Sequence, residues 1–186
     1  EGVSSLNRND EAIQRRNIEL TATIMTLCPY KQIIMLGSQD EYGKINTLVD
    51  EIHPLHPITE YAKVKIECCN LLIDYCETKC IEWHWIRVFS VFGEFQSVDW
   101  LIPSVIKRCL SGDRDMDVTL GEQVYSYLYS SDFASAIKLL LGVKGKSGIY
   151  NLSSHVPVTL KDLFLEIKKH TSSSIHFNFG ALPYRK

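Results

Sequence analysis

Three side chains in this sequence, Ser38, Tyr61 and Lys65, could together carry out one proton transfer. Tyr61 and Lys65 stand four residues apart, which on a helix puts them on one face with their polar ends over a common spot. A tyrosine ordinarily titrates near ~10 and is a poor base at neutral pH. A close ammonium favours the phenolate and draws that value down, which turns the phenol into a usable general acid or base. Ser38 follows the apolar run Lys31 to Gly37, so it falls at the carboxyl end of a predicted strand. Open α/β sheets receive ligands at that end. A hydroxyl there can hold a substrate oxygen while Tyr61 moves its proton. Tyr-x-x-x-Lys alone is common on helices; a serine just past a strand and a spacer of this length make the set more specific.

The elements that must hold these groups follow from periodicity and caps. Asn9 or Asp10 caps a predicted helix to about Leu27, with Ile13, Leu20, Ile24 and Leu27 forming an apolar stripe that includes Asn17. A polar amide in such a stripe needs hydrogen-bond partners. Asn17 therefore reads either as a satisfied core residue or as a functional one. Thr59 caps a second helix, Glu60 to Lys79, apolar on more than one side, which calls for two packing partners. One is expected to be the sheet and the other a second subunit. Trp83 to Val91 reads as the next strand, Asp99 to Leu110 as a helix interrupted at Pro103, and Asp117 to Leu120 and Val124 to Tyr129 as short strands. Ser131 or Asp132 caps a helix ended by Gly142, Gly148 to Leu152 is a strand, Thr159 caps a helix to His170, and Ser174 to Phe179 is a last strand. Strands alternating with helices argue for an α/β fold with a parallel sheet.

Composition narrows the function classes. The chain has 186 residues, a formal net charge of −2, 45% hydrophobic and 23% charged residues, which suits one domain, or one domain with a small lobe. The absence of a basic block gives no argument for nucleic acid or an anionic membrane, and no apolar run approaches the ~20 residues of a spanning helix. The six cysteines fall mostly inside apolar helical patterns and read as small buried hydrophobes of a reducing, cytoplasmic compartment. Cys76 and Cys80 lie one turn apart, but a structural zinc site needs about four ligands, and no second pair lies nearby; no metal is expected. Gly142, Gly145 and Gly148 spell a glycine repeat, yet a dinucleotide fingerprint follows a strand and opens a helix. Here the order is helix, glycines, strand, so the repeat reads as a loop.

With these residues in place, the sequence resembles the extended short-chain dehydrogenase/reductases, in particular the NAD-dependent nucleotide-sugar epimerase/dehydratase family. Asn17-Ile18-Glu19-Leu20-Thr21 is similar to the family's Asn-Val-x-Gly-Thr, and Gly37-Ser38 to Tyr42-Gly43 to its Ser-Ser-x-x-x-Tyr-Gly. Tyr61 and Lys65 match its catalytic pair, and Arg87 to Gly93 its Arg-x-Phe-Asn-x-Tyr-Gly. Gly121-Glu122-Gln123 to Asp132 matches Gly-x-Gln-x-Arg-Asp-Phe-Val-x-Val-x-Asp. Within the family the likeness is to CDP-abequose synthase-like 4-keto-reductases of deoxysugar pathways. The resemblance implies a partial Rossmann-like, doubly wound parallel sheet (1–93 and 124–152) with a smaller substrate-binding lobe (94–123 and 153–186). It implies NAD or NADP as cofactor, with Ser38, Tyr61 and Lys65 catalytic and Asn17, Tyr61, Lys65 and Phe89 beside the cofactor. A nucleotide sugar would meet Ser38, Gln39, Asp40, Tyr42, Ser90, Leu101, Ile102, Pro103 and Tyr125. It further implies a homodimer through the helices 10–27 and 60–79.

The departures steer the expected chemistry. The family's dehydratases carry Asp-Glu directly after the catalytic hydroxyl; Gln39-Asp40 here turns the expectation from dehydration towards hydride transfer at sugar C4. Tyr125 stands where the family grips phosphate with arginine, and Ser90 where it has asparagine, so phosphate contacts must come from elsewhere, with Arg114 one candidate. The family's glycine-rich cofactor loop is expected to precede Glu1, and its last elements to follow Lys186, so a fragment is expected. The expected function is an NAD(P)-dependent nucleotide-sugar oxidoreductase or epimerase of deoxysugar or cell-surface polysaccharide synthesis. Two alternatives stand beside it: a catalytically silent dimerisation module, and a reductase of a small ketone or alcohol.

Overall fold

The computed structural model describes residues 7–45, 47–142 and 144–184. Along the chain run α1 (Glu11–Thr26), β1 (Gln32–Ser38), a 3-10 turn (Gln39–Tyr42), α2 (Glu60–Lys79), β2 (Glu82–Val88), β3 (Ser90–Phe92) and α3 (Leu101–Leu110). Then follow β4 (Asp115–Val118), β5 (Val124–Tyr125), β6 (Tyr127–Tyr129), α4 (Ser130–Gly142), β7 (Gly148–Leu152), β8 (Val158–Thr159), α5 (Leu160–His170) and β9 (His176–Phe179). The chain forms two compact units, Glu1–Phe89 with Ala134–Leu152, and Ser90–Phe133 with Ser153–Lys186.

The first unit is a parallel sheet in the order β1-β2-β7, covered by α2 and α1. Gln32 pairs with Glu82 and Ser38 with Val88, so the two strands end together. Nearly continuous apolar strands suit a sheet covered by helices, and Trp83, Trp85 and Ile86 are buried. The two apolar sides of α2 both find partners inside the chain. Ala62, Val64, Cys68, Cys69, Leu72 and Cys76 are buried against the sheet and α1. The outward positions Lys63, Glu67, Asn70, Asp74 and Glu77 are exposed and polar. Burial pushes the Cys69 thiol up to about 12, which keeps it protonated.

Four sequence expectations are corrected here. The buried residues of α1 are Gln14 and Met25, whereas Leu20, Ile24 and Leu27 of the apolar stripe are exposed. The reason is that α1 packs on α2, where the Thr21 hydroxyl donates to Cys68 Sγ at 3.5 Å. The expected strand 83–91 breaks at Phe89, whose N–H bonds to the Leu152 carbonyl before the chain begins the pairing of β3 with β6. Helix α3 starts at Leu101 and is not interrupted, because Pro103 lies in its first turn, where an N–H has no intrahelical acceptor. The expected strand 124–129 is two: β5 pairs antiparallel with β8, and β6 parallel with β3.

The second unit joins three strand pairs to two amphipathic helices. Ile102, Val105 and Cys109 of α3 pack with Leu160, Phe164 and Ile167 of α5 in one core. The parallel pair β4–β9 contributes Val118 and Phe177. Thr159 caps α5 through the Asp162 N–H at 3.0 Å, as its position before an acidic first turn predicts.

Candidate active site

Ser38 closes β1 in extended geometry (φ −152°, ψ 148°) and opens the 3-10 turn as its N-cap. Its Oγ accepts the Asp40 N–H at 3.2 Å, while its own N–H donates to Glu41 Oε1 at 2.8 Å. This reciprocal capping box fixes the hydroxyl at the end of the strand. Gly37 is required just before it: a Cβ there would lie 2.3 Å from Trp85 Nε1 and 2.4 Å from Glu41 Oε1. Gly43 ends the turn at φ 77°, with the His56 carbonyl only 2.2 Å from where its Cβ would sit.

Thr59 caps α2 through the Ala62 N–H at 3.2 Å, which starts the helix where Tyr61 and Lys65 face the end of β1. The Ser38 hydroxyl stands close enough to the Tyr61 phenol to work against the rise of its pKa. Lys65 Nζ lies 5.7 Å from the Tyr61 ring centre and donates to the Leu36 carbonyl at 2.7 Å. The structure therefore brings Ser38, Tyr61 and Lys65 together. It changes one part of the expected chemistry. Burial pushes the Tyr61 phenol above its ordinary value; Ser38 and Arg8 work against this and Asp40 and Glu41 with it. Burial likewise lowers Lys65. With its ammonium turned to a carbonyl, Lys65 does not offset the desolvation of the phenol, and Tyr61 is a protonated donor.

Beneath the hydroxyl lies a polar network whose pairings the residue spacing does not disclose. The buried Glu41 carboxylate accepts from Arg87 Nε at 2.8 Å and from Trp85 Nε1 at 3.1 Å, besides Ser38 N–H. Arg87 also donates to the Tyr42 hydroxyl at 2.8 Å and the Glu51 carbonyl at 3.0 Å. The Tyr42 hydroxyl lies 2.7 Å from Asn151 Oδ1. Tyr42 is only 2% exposed, so the structure corrects its expected substrate contact to a role inside this network. The available signal is a glutamate and an arginine inside two motif-bearing stretches, the arginine in an apolar one.

Asn17, Tyr61 and Lys65 line one open cavity of about 750 Å³, together with Gln14, Thr21 and Leu36. Asn17 donates to Gln14 Oε1 at 3.3 Å, and Gln14 in turn to the Asn7 carbonyl at 2.9 Å. Phe89 does not line this cavity; its ring is 6.4 Å from that of Tyr42. Gln39 and Asp40 stand on the turn after Ser38, and Asp40 forms an ion pair with Arg8.

The remaining sequence candidates belong to the second unit. Ile102 and Pro103 line a cavity of about 700 Å³ with Phe92, Phe95, Lys107 and Tyr129. Leu101 is exposed at the start of α3 and outside this lining, Ser90 begins β3, and Tyr125 packs its ring 5.7 Å from Tyr127. The cation of the cavity is Lys107, not Arg114.

Comparison with known proteins gives a consistent outcome. The model of the NAD dependent epimerase/dehydratase family matches residues 1–153. CDP-abequose synthase of Salmonella muenchen is 32% identical over 102 residues, 54% of this chain and 34% of that protein. The solved UDP-N-acetylglucosamine 4-epimerase from Methanobrevibacter ruminantium M1, in complex with UDP-N-acetylmuramic acid, superposes with a TM-score of 0.89 at 24% identity. It covers 98% of this chain and 61% of its own. UDP-glucuronic acid 4-epimerase from Bacillus cereus, with UDP-glucuronic acid and NAD, gives 0.78 at 21% identity, over 88% of this chain and 54% of its own. The chain thus spans about a third of the curated relative and three fifths of the first solved one. The structural likenesses show the shared Rossmann-like α/β fold.

Proposed function

The chain belongs to the NAD dependent epimerase/dehydratase family, and on that premise we propose that it carries the catalytic residues of a nucleotide-sugar oxidoreductase or epimerase acting at sugar C4. The observation that carries this reading is the meeting of the Ser38 hydroxyl, the Tyr61 phenol and Lys65 at the end of a parallel strand. The cavity wall formed by an amide, a phenol and an ammonium fits a hydroxyl-rich ligand such as the ribose of a nicotinamide nucleotide. NAD or NADP, when bound, supplies or accepts the hydride at the sugar carbon.

The protein's own part is the proton. In the reductive direction Tyr61, kept protonated by burial, gives its proton to the C4 oxygen as that oxygen gains charge. Ser38, with its Oγ already accepting from Asp40 N–H, turns its own proton to the same oxygen. The Lys65 ammonium holds the ribose. Gln39 in place of an acid favours hydride transfer over dehydration. The second unit carries its own cavity, of Phe92, Phe95, Ile102 and Lys107, whose rings suit an aromatic base and whose ammonium suits a phosphate. The reading includes a cytoplasmic enzyme of deoxysugar or polysaccharide synthesis. It also includes a homodimer through α1 and α2, whose exposed residues include Leu20 and Ile24 on α1 and mostly polar ones on α2; sedimentation at high concentration tests it.

The test of the reaction is an assay of the whole protein with nucleotide-linked hexoses and their 4-keto forms, following nicotinamide absorbance. Tyr61→Phe is expected to lower turnover at least ~10²-fold while substrate binding is kept. Turnover near that of the unaltered protein refutes the assignment.

A further inference from the structure

Arg8 lies outside the Ser38, Tyr61 and Lys65 set, and the backbone builds its position. The segment leading into α1 clasps the first turn of α2. The Arg8 carbonyl accepts the Tyr61 N–H at 2.9 Å, and Asn9 Oδ1 accepts the Glu60 N–H at 3.4 Å. Those donors have no partner inside the helix, so the clasp is a cap made by a distant segment. It carries the Arg8 guanidinium to 5.1 Å from the Tyr61 ring centre, within cation–π range. Asp40 forms an ion pair with the same guanidinium.

The charged and titratable groups facing Tyr61 come from every neighbouring element. They are Arg8 before α1, Ser38 at the end of β1, Asp40 and Glu41 on the 3-10 turn, and Lys65 on its own helix. Lys65 is engaged by the Leu36 carbonyl, and Glu41 is neutralised by Arg87. We propose that Arg8 is a second cation of the Tyr61 centre, a positioning residue that favours the charged phenolate while Asp40 holds the guanidinium over the ring. As Tyr61 gives up its proton, negative charge grows on the phenol oxygen, and a cation held at this range lowers the cost of that charge in a half-buried site. The direction agrees with the influence of Arg8 on the phenol, which runs against burial. This inference rests on the reading of Tyr61 as the acid/base, but its test does not need turnover.

The experiment places difluorotyrosine, whose phenol ionises nearer neutrality, at position 61 of the 186-residue chain and follows its fluorine NMR signal against pH. Arg8→Gln and Arg8→Met are each expected to raise the midpoint by roughly one pH unit, the scale of one charge removed at this separation. Arg8→Lys is expected to keep it close to that of the unaltered chain. Because the clasp uses the Arg8 carbonyl and Asn9, side-chain replacement leaves it in place, and Arg8→Met keeps the stem over the ring. Circular dichroism checks folding. A midpoint unmoved in both neutral variants, or moved by Arg8→Lys as far as by Arg8→Gln, overturns the proposal. Absence of nucleotide-sugar turnover counts against the proposed function and leaves the fluorine result standing.

Discussion

Asp40 and Glu41 are adjacent on one short turn, and each is paired with an arginine, yet the two pairs live in different surroundings. The Glu41 carboxylate is fully buried and takes N–H groups from Ser38, Trp85 and Arg87, so its lone pairs are occupied from three sides. The Asp40 side chain keeps 21% of its surface in solvent, and that of its partner Arg8 39%. Burial raises the Asp40 carboxyl while Arg8 opposes the rise. A buried pair bonded from several sides ties down whatever it touches, here the Ser38 backbone N–H. The open pair keeps contact with water, and its guanidinium stands by the Tyr61 ring. One turn thus holds Ser38 with one acid and places the other, with its arginine, beside the Tyr61 phenol.

The sharpest way to break this contrast is to leave Glu41 without its partner. Arg87→Met is expected to cost about 3–5 kcal/mol, because an uncompensated carboxylate stays buried; urea unfolding measures it, and a cost below about 1 kcal/mol denies the contrast. Adding Glu41→Val to that variant should recover part of the loss. Gly37→Ala comes next. A methyl pressed on Trp85 Nε1 and Glu41 Oε1 should cost about 1–3 kcal/mol, again read from the urea midpoint.

His84 offers a third regime, a buried polar group that is incompletely paired. Among the described residues its Nε2 has no hydrogen-bond partner, and its ring stacks 5.6 Å from Tyr150. Burial lowers its pKa, with Glu82 and the Lys146 backbone opposing. The unfolded chain therefore binds this proton more readily, so the stability is full above the ordinary histidine value of ~6.5 and is lost as pH falls below it. Unfolding midpoints measured from about pH 8 to pH 5 should fall in the unaltered chain and fall less in His84→Phe; parallel curves contradict this. The smallest effect belongs to the open pair. Arg8→Gln should change stability by less than about 1 kcal/mol, although it moves the Tyr61 midpoint; a loss as large as that of Arg87→Met would erase the distinction.

Much of the candidate site's local geometry could be read from the residues alone. Ser38, Tyr61 and Lys65 were legible because a strand end and a four-residue helical spacing are local geometry. The helix Glu60–Lys79, the strand Gly148–Leu152 and the Thr159 cap fall where periodicity and capping put them. The exposed stripe of α1 was misread because periodicity identifies an apolar face without saying what covers it. The break at Phe89 was missed because Ser90, Val91 and Phe92 are as strand-prone as the residues before them, and only a new pairing partner separates them. The expected drawing down of the tyrosine by its lysine failed because spacing sets proximity, while desolvation depends on everything packed around the pair.

The sequence by itself determined which groups can donate, accept or carry charge, the α/β alternation, and a family relationship written in short motifs. These depend on residues a few positions apart, where covalent geometry limits the choices. Tertiary structure alone decided that Glu41 meets Arg87, that Arg8 reaches Tyr61, and that Tyr61 is held protonated rather than primed as a phenolate. Each joins segments distant in sequence, or depends on how much water the packed chain excludes, and neither is set by local spacing.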